Sequence, residues 1–350
     1  MASYVKRCFI ALIYYAIGCF WASIVISSTL IKSLLGGPSG IRKLFRRKAH
    51  DLLPEFAQKK FKHDFVRTKS GTRFHYVHTG SEDSPLMLCL HGFPECWYSW
   101  RGILETFGSN YHVVAFDMRG YGDSDKPNSI GKYHMHYLVN DVREIVEALG
   151  YEKAVIVAHD WGAAIAWELP LYFPEVVDKL IVMNCPNGRV FREFLASHPS
   201  QLLKSWYIFF FQLPYFAEWL IGLNDYESFE MLNKNEGGIQ NKANRLNPDE
   251  IELYKHAVGR SIGTAINYYR AINPIYDGIN LRKKTKQIVQ PTLFIWGNKD
   301  MALDARMVPY CAKDVPGITT HIIDGASHWV AQDEPEKVHK LMKTFLENNS

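Results

Sequence analysis

Residues 155–167, VIVAHDWGAAIAW, place Asp160 where an apolar strand ends and a helix begins, with Ala158 and Gly162 two residues to either side. A sharp strand-to-helix turn needs small flanking residues if its central side chain is to stand exposed. Here that side chain is a carboxylate. Asp is also a common helix cap, so the turn alone leaves a structural and a chemical role open.

Outward from this turn, short apolar runs bounded by turn residues recur at 74–78, 86–90, 112–116, 154–158, 180–184, 292–296 and 320–323. Most are continuously apolar, as strands buried on both faces of a parallel sheet are. Between them lie helical patterns such as 137–149, with apolar residues at 138, 139, 142, 145, 146 and 149. The alternation predicts an α/β fold with a mostly parallel sheet and helices on both faces. From Cys185 to about Thr285 the rhythm breaks. Aromatic, helical-looking stretches, SWYIFFFQLPYFAEWL and IELYKHAVGRSIGTAINYYRAI, replace the strands and suggest an inserted helical lid.

Three further motifs accompany the turn. LFIWGNKD puts Asp300 just past a strand, and DGASHW puts His328 in the loop after the next one. Nucleophile, acid, histidine is the chain order of α/β-hydrolase triads. Upstream, LCLHGFPE supplies a loop where Phe93 can offer a backbone N–H to an oxyanion, and Trp161, next after Asp160, can offer the second.

HGFPECWYSWR, DMRGYGDSD, AHDWGAAIAW, WGNKD and ASHW together resemble the motifs of the α/β-hydrolase epoxide hydrolases over most of residues 65–345. With its apolar leader the chain is most similar to the membrane-anchored epoxide hydrolase 3 and 4 group of animals. The resemblance implies Asp160 as nucleophile, Asp300 as charge-relay acid, His328 as proton acceptor, and two lid tyrosines, Tyr207 and Tyr269, as proton donors. Tyr268 is the neighbouring candidate for the second. Asn184 stands where some relatives carry the acid, and Ala163 where close relatives often have Gly.

The chemistry suits these residue types. Asp160 is an anion at neutral pH and needs only positioning, whereas a serine must first lose a proton. Attack on an epoxide carbon gives an alkyl ester, which water activated by His328 can hydrolyse while Phe93 and Trp161 hold the oxyanion. A haloalkane dehalogenase would use the same Asp nucleophile and Trp161, so the tyrosines carry the distinction. A membrane-tethered, non-catalytic fold that binds a lipid is the other alternative. The aromatic lid, with Trp206, Phe209, Phe210, Phe211, Tyr215, Phe216 and Trp219, suggests an apolar lining for lipid or fatty-acid epoxides. No metal or organic cofactor is needed.

The 350 residues carry 40 Lys plus Arg against 36 Asp plus Glu, a net charge of +4. All eight basic residues of the first fifty stand there without an acid, leaving a body with 32 basic against 36 acidic residues and no charge reason to bind nucleic acid. At 47% apolar and 22% charged the chain can bury a large core. Residues 8–31, CFIALIYYAIGCFWASIVISSTLI, are uncharged and would rise roughly 36 Å as a helix, enough to cross a bilayer. More basic residues follow the segment than precede it, which predicts one transmembrane helix with the catalytic body facing the cytosol, at the endoplasmic reticulum. Six scattered cysteines suggest neither zinc nor a disulfide framework. The expected organisation is an anchor and basic linker at 1–50, hydrolase core at 51–185, lid at 186–285 and returning core at 286–350.

Overall fold

The structure is a computed structural model that describes residues 2–233, 237–276, 285 and 287–349. Its centre is an eight-stranded sheet: β1 Lys62–Arg67, β2 Arg73–Thr79, β3 Leu86–Leu90, β4 His112–Phe116, β5 Ala154–His159, β6 Val177–Met183, β7 Thr292–Gly297 and β8 Thr319–Ile323. The order is β1-β2-β4-β3-β5-β6-β7-β8. β1, β2 and β4 pair antiparallel, and β4 through β8 run parallel. Every residue of β3, β4, β5 and β7 is buried, as strands covered on both faces must be. Helix Met135–Ala148 packs with helix Asp160–Tyr172, and helix Pro335–Asn348 packs with Arg101–Phe107.

Seven of the eight strands coincide with apolar runs in the sequence. β1 does not. Its residues KHDFVR are mostly exposed, and it pairs only with β2 at the sheet edge, so no apolar run marks it. β6 also ends one residue earlier than expected. Asn184 lies beyond it with a φ of 45°, in the left-handed region that Asn tolerates.

Among the described residues between β6 and β7 there is no strand. The aromatic stretch expected as one helical run is instead broken into Trp206–Phe210 and Phe216–Ile221, with Pro214 and a left-handed Tyr215 between them. The second stretch is likewise a series of short turns, ending in Asn267–Arg270. The expected end of the lid, Thr285, is among the described residues, whereas residue 286, where the returning core is expected to begin, lies outside them.

Before the sheet, α1 (Ala2–Leu35) is a single helix, and its segment Val5–Leu35 is long and apolar enough to cross a membrane. It is followed by α2 (Gly37–Phe45). α1 does not stand apart from the fold. It packs along the helix Trp206–Phe210, and α2 packs near Leu223–Tyr226.

Candidate active site

Asp160 opens the helix that follows β5, with a φ of 48° that holds its side chain up from the turn. Crowding explains the small neighbours. A Cβ on Gly162 would come within 2.2 Å of the Leu90 carbonyl oxygen, and one on Gly92 within 2.4 Å of the Asp160 Cβ. The loop after β3 therefore lies directly against the carboxylate, and the Phe93 N–H donates to Asp160 Oδ1 at 2.8 Å. Trp161 follows in the first helical turn, where backbone N–H groups have no intrahelical acceptor.

His328 closes the arrangement. Its Nε2 lies 3.4 Å from Asp160 Oδ2, and its Nδ1 2.7 Å from Asp300 Oδ2. Asp300 Oδ1 accepts from the amides of Ala302 and Leu303, and its Oδ2 also accepts from Asn184 Nδ2 at 2.8 Å. Asn184 in turn accepts from the Gly297 N–H, so it fastens the ends of β6 and β7 together. Burial alone would raise the pKa of Asp160. The hydrogen bond and charge of His328, with His159 and the Phe93 amide, outweigh it and hold the carboxyl below its ordinary value. Burial acts against a charged His328 as well, yet the charge of Asp300 and the hydrogen bonds to Asp160 and Asp300 raise its pKa well above the usual imidazole value.

Beneath this triad lies a buried pair that the sequence reading passed over. His159 Nε2 donates to the His328 carbonyl at 2.8 Å, and its Nδ1 meets Glu95 Oε2 at 2.7 Å. Glu95 also accepts from Gly92 N–H and from Gln332 Nε2. It thus ties the loop after β3 to the loop carrying His328. Its signal was present in the sequence: a Glu and a His sit inside two of the quoted motifs, each beside a run of apolar strand.

The two tyrosines converge over Asp160 from separate segments. Tyr207, on Trp206–Phe210, and Tyr269, on Asn267–Arg270, have ring centroids 5.8 Å apart. Tyr269 meets Phe93 and Trp161 edge-on at 5.3 and 5.0 Å. Burial raises the pKa of both phenols well above the ordinary value, and the charge of Asp160 adds to it, so both stay protonated. Tyr268 turns the other way and donates to the Arg119 carbonyl at 2.8 Å. Gln212 Nε2 donates to the carbonyls of Ile208 and Tyr269, which joins the two tyrosine-bearing segments.

The expected aromatic lining needs correction. Of that set Phe211 reaches Tyr207 and Tyr269. Trp206 and Phe209 face α1 instead, and Tyr215, 84% exposed, and Phe216 face outward. Across Trp161 and Tyr268 lies an open cavity of about 160 Å³, walled also by Met135, Leu138, Ala271 and Ile272.

The α/β hydrolase fold family matches residues 85–335. Human Epoxide hydrolase 4 is 38% identical over 347 residues, covering 97% of this chain and 94% of that protein. Epoxide hydrolase 3 of Xenopus tropicalis is 40% identical over 292 residues, 82% of this chain and 78% of its own. Among solved structures, a mutant epoxide hydrolase from Bacillus megaterium, complexed with its naphthyloxy-propane-1,2-diol product, superposes with a TM-score of 0.73 at 28% identity. That match covers 81% of this chain and 100% of the other. A carboxylate at the elbow is compatible with several chemistries; with likeness running along nearly the whole of a named relative, this chain belongs to the epoxide hydrolases of the α/β-hydrolase fold family.

Proposed function

We propose that the protein converts epoxides to vicinal diols through an alkyl ester on Asp160. The observation that carries this reading is the placing of one carboxylate between a histidine–acid pair and two buried, protonated phenols. Asp160 Oδ2, the oxygen not held by the Phe93 amide, attacks an epoxide carbon. The ring C–O bond breaks as one of the two phenols, Tyr207 or Tyr269, transfers its proton to the departing oxygen and becomes a tyrosinate while the other hydrogen-bonds to the same oxygen. His328 Nε2 then takes a proton from water as that water adds to the ester carbonyl. The charge gathers on the oxygen facing Phe93 and Trp161; the C–O bond to the diol then breaks, the leaving oxygen takes the proton held on His328, and the proton released as Asp160 returns to a carboxylate restores the tyrosinate. Asp300 orients the imidazole and stabilises its protonated form.

Esterification also retunes the base. An esterified Asp160 no longer carries the negative charge that helps raise His328, so the imidazole becomes easier to deprotonate when it must act as base. The two steps should therefore respond differently to pH. Ring opening needs Asp160 ionised, and its depressed pKa keeps that step running to lower pH than an ordinary carboxylate allows. Ester hydrolysis needs His328 neutral and should quicken as pH rises. Rapid-quench measurement of ester formation and decay from pH 4 to 9 tests this, and identical profiles for the two steps would contradict it.

Residues 186–285 serve in this reading as a lid over the site, between the core segments 51–185 and 286–350, and residues 8–31 of α1 as a single membrane span. Six basic residues after the span against two before it favour a body on the cytosolic side, and the endoplasmic reticulum is the membrane this reading assigns. A site set beside a membrane helix favours lipid epoxides as substrates. Epoxides of long-chain fatty acids are expected to give a higher kcat/KM than a small aromatic epoxide in an assay of diol formation, and no preference for the lipid would remove this part of the proposal.

A further inference from the structure

The sheet carries a second cluster of chemically capable side chains, at the end opposite Asp160. His112 opens β4 and stands level with Ala154, the first residue of β5, since both pair with Leu86. Asp160 lies six residues further along, about 20 Å away at roughly 3.3 Å per residue. β2 runs antiparallel to β4 with His78 opposite Val114, so His78 and His112 are diagonal neighbours on one face of the pair. Glu82 follows in the turn after β2, four residues beyond His78.

His78 Nδ1 and His112 Nε2 are 2.9 Å apart. On its other side, His112 Nδ1 lies 2.9 Å from the Tyr151 hydroxyl, which donates its own proton to the Glu82 carbonyl at 2.6 Å. The Tyr151 oxygen therefore accepts from His112 Nδ1–H, and the His112 lone pair stands at Nε2. The same hydroxyl fastens the Glu82 backbone beside the ring. Both imidazoles are buried, and burial lowers their pKa values, which keeps them neutral. His78 Nε2 has no hydrogen-bond partner among the described residues, although it too is buried. An unmet polar atom in such a place is costly, and this one belongs to a good metal ligand.

His78, Glu82 and His112 each offer a ligand atom within 4.8 Å of the others. Two imidazoles and a carboxylate form a donor set that suits zinc. At Zn–N distances of about 2.1 Å, tetrahedral geometry sets two nitrogens about 3.4 Å apart, so the rings need part by only about half an ångström. An open pocket of about 590 Å³, walled in part by Lys62, His78, Gly80, Glu82 and Asp83, gives an ion access. Lys62 Nζ is 3.9 Å from Glu82 Oε1 with both side chains exposed, a contact loose enough to yield to a divalent ion.

We propose that His78, Glu82 and His112 bind a zinc-class divalent cation, with water in the fourth position, and that the ion clamps β2 to β4 and to the turn after β2. The site is a structural brace, remote from the chemistry at Asp160. Its ligands lie on two strands and a turn, so no compact sequence motif marks it.

The test uses the full chain in detergent micelles, stripped with EDTA and titrated with zinc chloride alone, followed by calorimetry and thermal melting. One equivalent of Zn²⁺ should bind with micromolar affinity or tighter, and excess Zn²⁺ should raise the melting temperature. His78→Gln and His112→Gln should each weaken binding by about 100-fold, and Glu82→Gln by about 10-fold or more. Tyr151→Phe removes the group that orients His112 and should cost about 10-fold. His321→Gln, on β8, should bind as the wild type does. Where a buried histidine variant does not accumulate, Glu82→Gln decides the matter, because that side chain is exposed and its loss leaves the fold intact. No uptake of Zn²⁺ by the wild-type chain, or undiminished binding in Glu82→Gln, overturns the proposal.

Discussion

In the His328→Gln variant, Asp160 is expected to remain esterified after exposure to an epoxide, with diol release slowed by about 10³-fold or more. The asymmetry comes from what each step requires. Ring opening needs an ionised Asp160 and protonated phenols, and none of these is His328. Hydrolysis needs a base at Nε2, and a glutamine amide cannot accept water's proton. His328 does contribute the main influences that lower the pKa of Asp160, so its loss lets burial raise that pKa. Ester formation in the variant should therefore weaken as pH falls and recover as pH rises. Mass spectrometry of the peptide containing Asp160 would detect a gain equal to one substrate molecule. An unmodified Asp160 in a folded variant would exclude a covalent path.

Asp160→Ala is expected to abolish diol formation, a loss of about 10⁴-fold or more, because Asp160 is the carboxylate whose charge acts on both phenols. The substitution needs a structural control. Asp160 stands at a φ of 48°, where alanine is strained by about 1 kcal/mol or more. Asp160→Gly relieves that strain and lacks the carboxylate equally. Both variants should be inactive, and circular dichroism with thermal melting should find Asp160→Gly folded. Turnover surviving in either would mean that His328 activates water directly against the epoxide.

The sheet was legible because buried strands must be apolar throughout. β3 and β4 begin and end where their apolar runs do. β1 was illegible for the converse reason, since an edge strand made of Lys, His, Asp and Arg is defined by its partner rather than by burial. The triad residues could be placed because each follows a strand at a turn, and turns leave marks in Gly, Asp and Asn. The choice between Tyr268 and Tyr269 could not be made from sequence. It depends on which phenol finds the Arg119 carbonyl, a contact across 149 residues. The lid aromatics misled for a similar reason. Aromatic content is visible in the sequence, but its direction is not, and Trp206, Phe209, Tyr215 and Phe216 of the expected lining turn out to face α1 or the outside.

The bond between Asn184 and Asp300 has an evolutionary consequence. The two side chains end strands β6 and β7 side by side, 2.8 Å apart, and His328 faces the same Asp300 oxygen. The negative charge could therefore move from one strand to the other by two single-residue changes, but the order matters. Asn184→Asp first leaves His328 an acid throughout, as two adjoining carboxyls share a proton. Asp300→Asn first leaves it none. The order of the two changes therefore decides whether His328 keeps an acid partner at the intermediate stage.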